Sequence, residues 1–317
     1  MMRLIQLTLC LSLALLTTLA VARPTDQDPY LSKTFTLNGQ GDLMVRTSGG
    51  SIEVTGQSGN QVEVDMYVRK NGSWGGWFGN DDDNEDLAEY LDDYDIDISQ
   101  SGDQITATAK RKGSNWGNNK LSISFKVRVP KDMSTDLSTS GGSIAVANVS
   151  GSHDVSTSGG SLNFEDITGT TEARTSGGSI NVEDYSGTLD AKTSGGSIRV
   201  RDSEGQIAVN TSGGGITIDD VRGSVEAYTS GGSIRADIRS LEDQLTLKTS
   251  GGSINATIPA GLGLDLDLAG NRVNTELQNF SGKSEKNSIQ GSMNGGGIEV
   301  TMRTSGGSVN LDYHSGS

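Results

Sequence analysis

Cysteine is almost absent. The single one, Cys10, lies in the apolar N-terminal stretch, so disulfides cannot hold the rest of the chain together. Aromatic residues make up 5% and hydrophobic residues 32%, too little for one large globular core. Cations are also short: 25 Lys and Arg face 40 Asp and Glu, for a net charge of −15. That imbalance disfavours nucleic acid and anionic membrane as partners. Beyond the N-terminal stretch no long apolar run follows, so no transmembrane segment is expected in the mature chain. Histidine is limited to His153 and His314, both read as surface residues. No Gly-x-Ser-x-Gly elbow and no His/Asp pairing with a nucleophile is evident, and the chain reads as a non-enzyme without a required cofactor.

The first residues have the form of an export signal. Arg3 precedes the apolar stretch Leu4–Ala20, and Ala20-Val21-Ala22 fits small-x-small cleavage after residue 22. Leu9, where a lipoprotein signal needs a small residue before the cysteine, argues against lipidation of Cys10. An exported chain whose mature part has no cysteine suits a bacterial periplasm or cell surface.

A repeat accounts for the thin hydrophobic content. Thr-Ser-Gly-Gly begins at Thr47, Thr139, Thr157, Thr175, Thr193, Thr211, Thr229, Thr249 and Thr304. The five steps from Thr139 to Thr229 are all 18 residues, and the next is 20. Constant spacing over this many copies is the mark of a solenoid, in which neighbouring rungs cover one another's apolar groups. Each period reads as two short strands and two turns. In Ser179–Gly196, residues 179–182 and 188–193 alternate polar and apolar, while 183–187 and 194–196 turn the chain. Alternation points Ile144/Val146, Leu162/Phe164, Ile180/Val182, Ile198/Val200, Ile216/Ile218 and Ile234/Ala236 inward from the first strand. From the second it points Val155, Ala173, Leu189/Ala191, Ile207/Val209, Val225/Ala227 and Leu245/Leu247 inward, with the tetrad threonines in the same phase. The paired glycines are expected to supply positive φ at a sharp corner. An outward row is expected from Arg174, Lys192, Asn210, Tyr228 and Lys248, with Glu172, Asp190 and Glu226 beside it.

A second ladder recurs at the other turn. Asn148, Asp166, Asp184, Asp202 and Asp220 are each followed three positions later by glycine, the pattern of a type I turn. Stacked carboxylates repel, so Asp166, Asp184, Asp202 and Asp220 are also the candidate metal ligands, with calcium as the ion.

The flanks divide the chain into a signal peptide (1–22), an N-terminal β region (23–135), the regular solenoid (136–258) and C-terminal irregular rungs with a cap (259–317). Within the N-terminal region, 71–97 forms an acidic insertion. Its candidate binding residues are Trp74, Trp77, Asp81, Asp82, Asp83 and Tyr90, and Leu87, Tyr90, Leu91 and Tyr94 have the spacing of one short amphipathic helix. The alternating Leu264, Leu266 and Leu268 predict a strand after the rhythm breaks.

The stretch Leu121–Asp132, LSISFKVRVPKD, leads into the Thr-Ser-Gly-Gly-Ser-Ile units, and together they resemble the bacterial adhesin-like family of β-strand-repeat domains, a domain of unknown function. The resemblance spans roughly residues 35–311 and implies a β-solenoid in a cell-envelope setting. It carries no catalytic residues. The expected function is that of an exported interaction protein binding a protein or glycan of the envelope, through its exposed ladders or the acidic insertion. The alternatives are a structural spacer without a discrete ligand and, less favoured, a polysaccharide-acting β-helix enzyme.

Overall fold

Stacked copies of an alternating 18-residue unit produce a β-solenoid with β-strands as its main element and one helix, Asn84–Leu91, among the described residues. The structure, a computed structural model, describes residues 28–70, 84–113 and 121–314. Regular rungs run as Ile144–Thr157, Leu162–Thr175, Ile180–Thr193 and Ile216–Thr229, each 14 residues long. Neighbours pair in parallel, offset by one repeat: Leu162 opposes Ile180, which opposes Ile198, which opposes Ile216.

The predicted inward rows are buried throughout, with Ile180, Ile198 and Ile216 each at 0–1% exposure. The tetrad threonines are buried as well. No rung closes a core alone, because its two inward segments touch chiefly the rungs above and below.

Four expectations are corrected. The segment 183–187 is not a turn that interrupts the rung; it lies inside the strand Ile180–Thr193 as a bend. The bend itself buries an apolar residue: Val149, Ile167, Tyr185, Val221 and Ile238 all lie in the core. The Asx residue that recurs every 18 residues at this bend, followed in one rung by the buried Ser203 instead of an apolar residue, is no type I turn opener. Asn148, Asp166, Asp184, Asp202 and Asp220 sit at φ of +49° to +60°, the left-handed region that Asn and Asp tolerate best among side-chain-bearing residues.

The tetrad glycines act sterically, since none of them has a positive φ. A Cβ on the second glycine of each pair would sit 1.9–2.3 Å from a backbone carbonyl oxygen of the preceding rung. Rungs therefore approach at this corner more closely than any side chain allows. Finally, His153 is not a surface residue. It is 1% exposed, in the column where later rungs carry Thr171, Leu189, Ile207 and Val225.

Both ends depart from chain order in the same way. At the N-terminal end the rung Gly41–Thr47 and Ile52–Gln57 stacks on the repeats, pairing with Met133–Thr139 and Ile144–Thr157. The later strands Gln104–Arg111 and Leu121–Pro130 stack outside it in parallel. Antiparallel strands then close the end: Tyr94–Ser101 on Gln104–Arg111, Gln61–Lys70 on Leu121–Pro130, and Leu31–Thr36 on Gln61–Lys70. At the other end the last rung, Ile298–Thr304 and Ser308–Tyr313, inserts against the repeats, and the earlier Leu264–Ala269 and Arg272–Thr275 lie outside it. Antiparallel strands Ser288–Met293 and Phe280–Glu285 finish that side. This rearrangement brings all nine tetrads into one column from Thr47 to Thr304.

Candidate functional site

The tetrad and the residue after it form a pentad whose positions have separate duties. Threonine binds the corner to the preceding rung: Thr193 Oγ1 donates to the Gly178 carbonyl at 2.8 Å and accepts from the Gly196 N–H at 3.3 Å. The same donation recurs from Thr139 onward in every tetrad at 2.7–2.9 Å. The second glycine permits the close approach. The closing serine stitches rungs from outside, its hydroxyl accepting the N–H of the next rung's serine, as Ser179 does from Ser197 at 3.3 Å.

The first serine joins rungs through its backbone, its carbonyl accepting the N–H of the next rung's first glycine, as Ser176 does from Gly195 at 2.9 Å. Among the described residues its hydroxyl bonds the protein only at the N-terminal end, Ser48 Oγ donating to the Ala109 carbonyl at 3.4 Å. The hydroxyls of Ser158, Ser176, Ser194 and Ser212 are exposed, and among the described residues no hydrogen bond joins them to the protein. These four face a shallow groove of about 480 Å³ that runs along the corner. Its other wall carries Ser138, Ser156, Arg174, Lys192 and Asn210. None of its thirteen lining residues is acidic, in a chain with 40 carboxylates.

The expected outward row is present. Arg174, Lys192, Asn210, Tyr228 and Lys248 align on consecutive rungs, and Arg46 and Arg303 lie in the same column through Ser138, Ser156 and Lys248. Glu172, Asp190 and Glu226 stand beside it. Glu172 pairs with Arg174, and Asp190 with Lys192 at 2.7 Å. The Lys248 ammonium lies 5.6 Å from the centre of the Tyr228 ring.

A profile of the Toastrack DUF4097 family matches residues 45–312. The chain belongs to the Toastrack DUF4097 family. No curated protein matches it. Among solved structures, one from Clostridium sporogenes ATCC 15579, described as a "putative cell adhesion protein", is 10% identical, with coverage of 90% of this chain and 99% of that one and a TM-score of 0.23.

In this Toastrack chain the other predicted site residues are not brought together. Asp166, Asp184, Asp202 and Asp220 stack one per rung on the opposite corner. Asp220 is instead held by Arg239, whose Nε lies 2.7 Å away and keeps that carboxyl below its ordinary pKa. Among the described residues no group of three or more His, Cys, Asp or Glu side chains is placed to hold a metal. Of the insertion residues, Trp74, Trp77, Asp81, Asp82 and Asp83 lie outside the described residues. Tyr90 is described: it is half-buried on the expected helix and packs on the core with Leu87 and Leu91. Tyr94 is not helical; it opens the strand Tyr94–Ser101 and is buried, its hydroxyl donating to the Leu121 carbonyl at 3.2 Å.

Two buried polar groups have no role at the groove. His153 Nδ1 lies 3.0 Å from Thr135 Oγ1, while its Nε2 has no partner among the described residues; burial pushes its pKa down to about 4. The Tyr185 hydroxyl lies 2.6 Å from the Thr188 carbonyl, and burial raises its pKa.

Proposed function

We propose that this Toastrack chain is a non-enzymatic interaction protein of the bacterial envelope, exported to the periplasm or cell surface, that engages a protein or glycan through its outer ladders. The observation that carries this reading is the groove along the tetrad corner, lined on consecutive rungs by hydroxyls without an internal partner and by two cations. A surface that repeats at about 4.8 Å per rung suits an extended partner better than a compact small molecule. The pattern of residues 1–22 supports export. Among the described residues no helix is long and apolar enough to cross a membrane.

The test is binding of envelope extract, separated into protein and polysaccharide fractions, to immobilised chain comprising residues 23–317. Saturable retention from either fraction is expected. A Trp74→Ala/Trp77→Ala variant then assigns the contact: unchanged binding places it on the ladders, and lost binding on the insertion. No saturable binding from either fraction sinks the reading and leaves a spacer role.

A further inference from the structure

We propose that the ligand of the tetrad-corner groove is an extended, hydroxyl-rich chain carrying anionic groups, an acidic polysaccharide lying along the rungs. This rests on the interaction reading above and specifies the chemistry of its partner.

The first argument is one of unused groups. Threonine, second glycine and closing serine of the pentad are all committed to joining rungs. The first serine is repeated in all nine tetrads, and although the Ser48 hydroxyl at the N-terminal end donates to the Ala109 carbonyl, the hydroxyls of Ser158, Ser176, Ser194 and Ser212 make no hydrogen bond to the protein among the described residues. The fold does not require a hydroxyl there. Each such hydroxyl can donate once and accept twice, which matches the hydroxyls of a sugar chain. Stacking fixes their separation at about one rung, 4.8 Å, so one straight polymer can meet several in turn.

The second argument is charge. The groove carries Arg174 and Lys192 on adjacent rungs and no carboxylate among its lining residues. The chain as a whole carries a net charge of −15, whereas the lining itself holds two cations and no carboxylate, with Glu172 and Asp190 standing just outside it. Both cations are held by exposed carboxylates two residues back on their own strands, Glu172 and Asp190. Exposed pairs of this type are weak, and a ligand anion can replace or join the partner at little cost. Guanidinium and ammonium one rung apart then read negative charges spaced along the polymer. Aromatic platforms are absent from the lining, which separates this groove from sites that stack sugar rings.

The experiment titrates the chain comprising residues 23–317 with polygalacturonate, dextran sulfate, dextran and poly-L-glutamate. Polygalacturonate is expected to bind, with affinity falling as salt is raised, and dextran is not. Binding confined to polygalacturonate identifies the anion as carboxylate; equal binding of dextran sulfate identifies a general anion site, and both sustain the proposal. An R174Q/K192Q variant is expected to weaken binding at least about tenfold. A variant with Ser158, Ser176, Ser194 and Ser212 all changed to Ala is expected to weaken it about tenfold with no change in melting temperature, because those hydroxyls bond nothing in the fold. Poly-L-glutamate binding as tightly as polygalacturonate would show charge alone at work and overturn the proposal, as would failure of both anionic polysaccharides or indifference to the Arg174 and Lys192 changes. Should these polymers fail while envelope extract still yields a saturable partner, the proposal falls and the interaction reading stands.

Discussion

Replacing Thr193 by valine tests whether the threonine column holds the rungs together. Threonine and valine have nearly the same shape, so packing is preserved while the hydroxyl is removed. At this position the residue is 5% exposed, and its hydroxyl donates to the Gly178 carbonyl at 2.8 Å and accepts from the Gly196 N–H at 3.3 Å. Each bond contributes about 1 kcal/mol net, and the groups left behind face a corner already filled by the next rung, which brings the loss to about 2–3 kcal/mol. Exchanging hydroxyl for methyl returns about 1 kcal/mol through added apolar burial. The balance is a destabilisation of about 1–2 kcal/mol. Thr193→Ser keeps both bonds and loses one methyl, for about 0.8 kcal/mol. Urea unfolding followed by circular dichroism measures both, with midpoint and slope fitted separately so that piecemeal melting of rungs is recognised by a fall in slope. The sign is decisive. If the hydroxyl bonds were incidental, valine would be the better residue on burial and strand propensity, and the midpoint would rise. A midpoint for Thr193→Val at or above that of the wild type refutes the column as a structural device.

Two further outcomes follow from the same packing. Gly196→Ala should destabilise at the upper end of the overpacking range, about 3 kcal/mol, since its Cβ would meet the Gly178 oxygen at 2.0 Å; Gly195→Ala, whose nearest neighbour is 3.5 Å away, should be close to neutral, and thermal melts of the pair check this contrast. His153 is held neutral, with its folded pKa pushed down to about 4 against about 6.5 when unfolded, so its contribution is intact above pH 6.5 and is lost as pH falls toward 4. The wild type should lose about 2 kcal/mol more than His153→Leu between pH 7 and pH 5, measured by urea midpoints at each pH, and parallel losses in the two proteins would show that His153 is not responsible.

Much of the solenoid was legible because its two signals, period and alternation, are local. Every inward residue assigned from alternation lies in the core, from Ile144 to Leu247. The bend was missed because one apolar residue between an Asp and a Gly carries no alternation of its own. The signal was there at longer range: Val149, Ile167, Tyr185 and Val221 recur at the same place in their repeats, directly after the Asx residue. His153 misled because histidine is polar, while its column partners Leu189, Ile207 and Val225 betray an inward position. For the groove, sequence placed Arg174, Lys192 and Asn210 in one row but assigned the serines wholesale to turns. Distinguishing the serine that stitches from the serine that is idle needs the hydrogen bonds of neighbouring rungs. The glycine pair shows the same limit, since a contact between rungs rather than a dihedral angle excludes the side chain.

The two ends explain why the period fails where it does. A stack of parallel rungs leaves an open row of N–H and C=O groups at each end, a template for adding another chain. Here the chain returns at each end to place a later or earlier rung outermost and then finishes with antiparallel strands. A reversal of direction cannot be made in an 18-residue coil, so the flanking segments must be longer and differently patterned. Side chains help to close the N-terminal seam: Lys33 Nζ donates to the Ile98 carbonyl at 2.7 Å, and Gln100 Nε2 to the Thr36 carbonyl at 2.9 Å. Capping fixes the number of stacked tetrads at nine, and with it the length of the serine column. Under the proposed reading, the devices that keep this solenoid from growing into a fibre also set how many residues of an extended ligand one chain can hold.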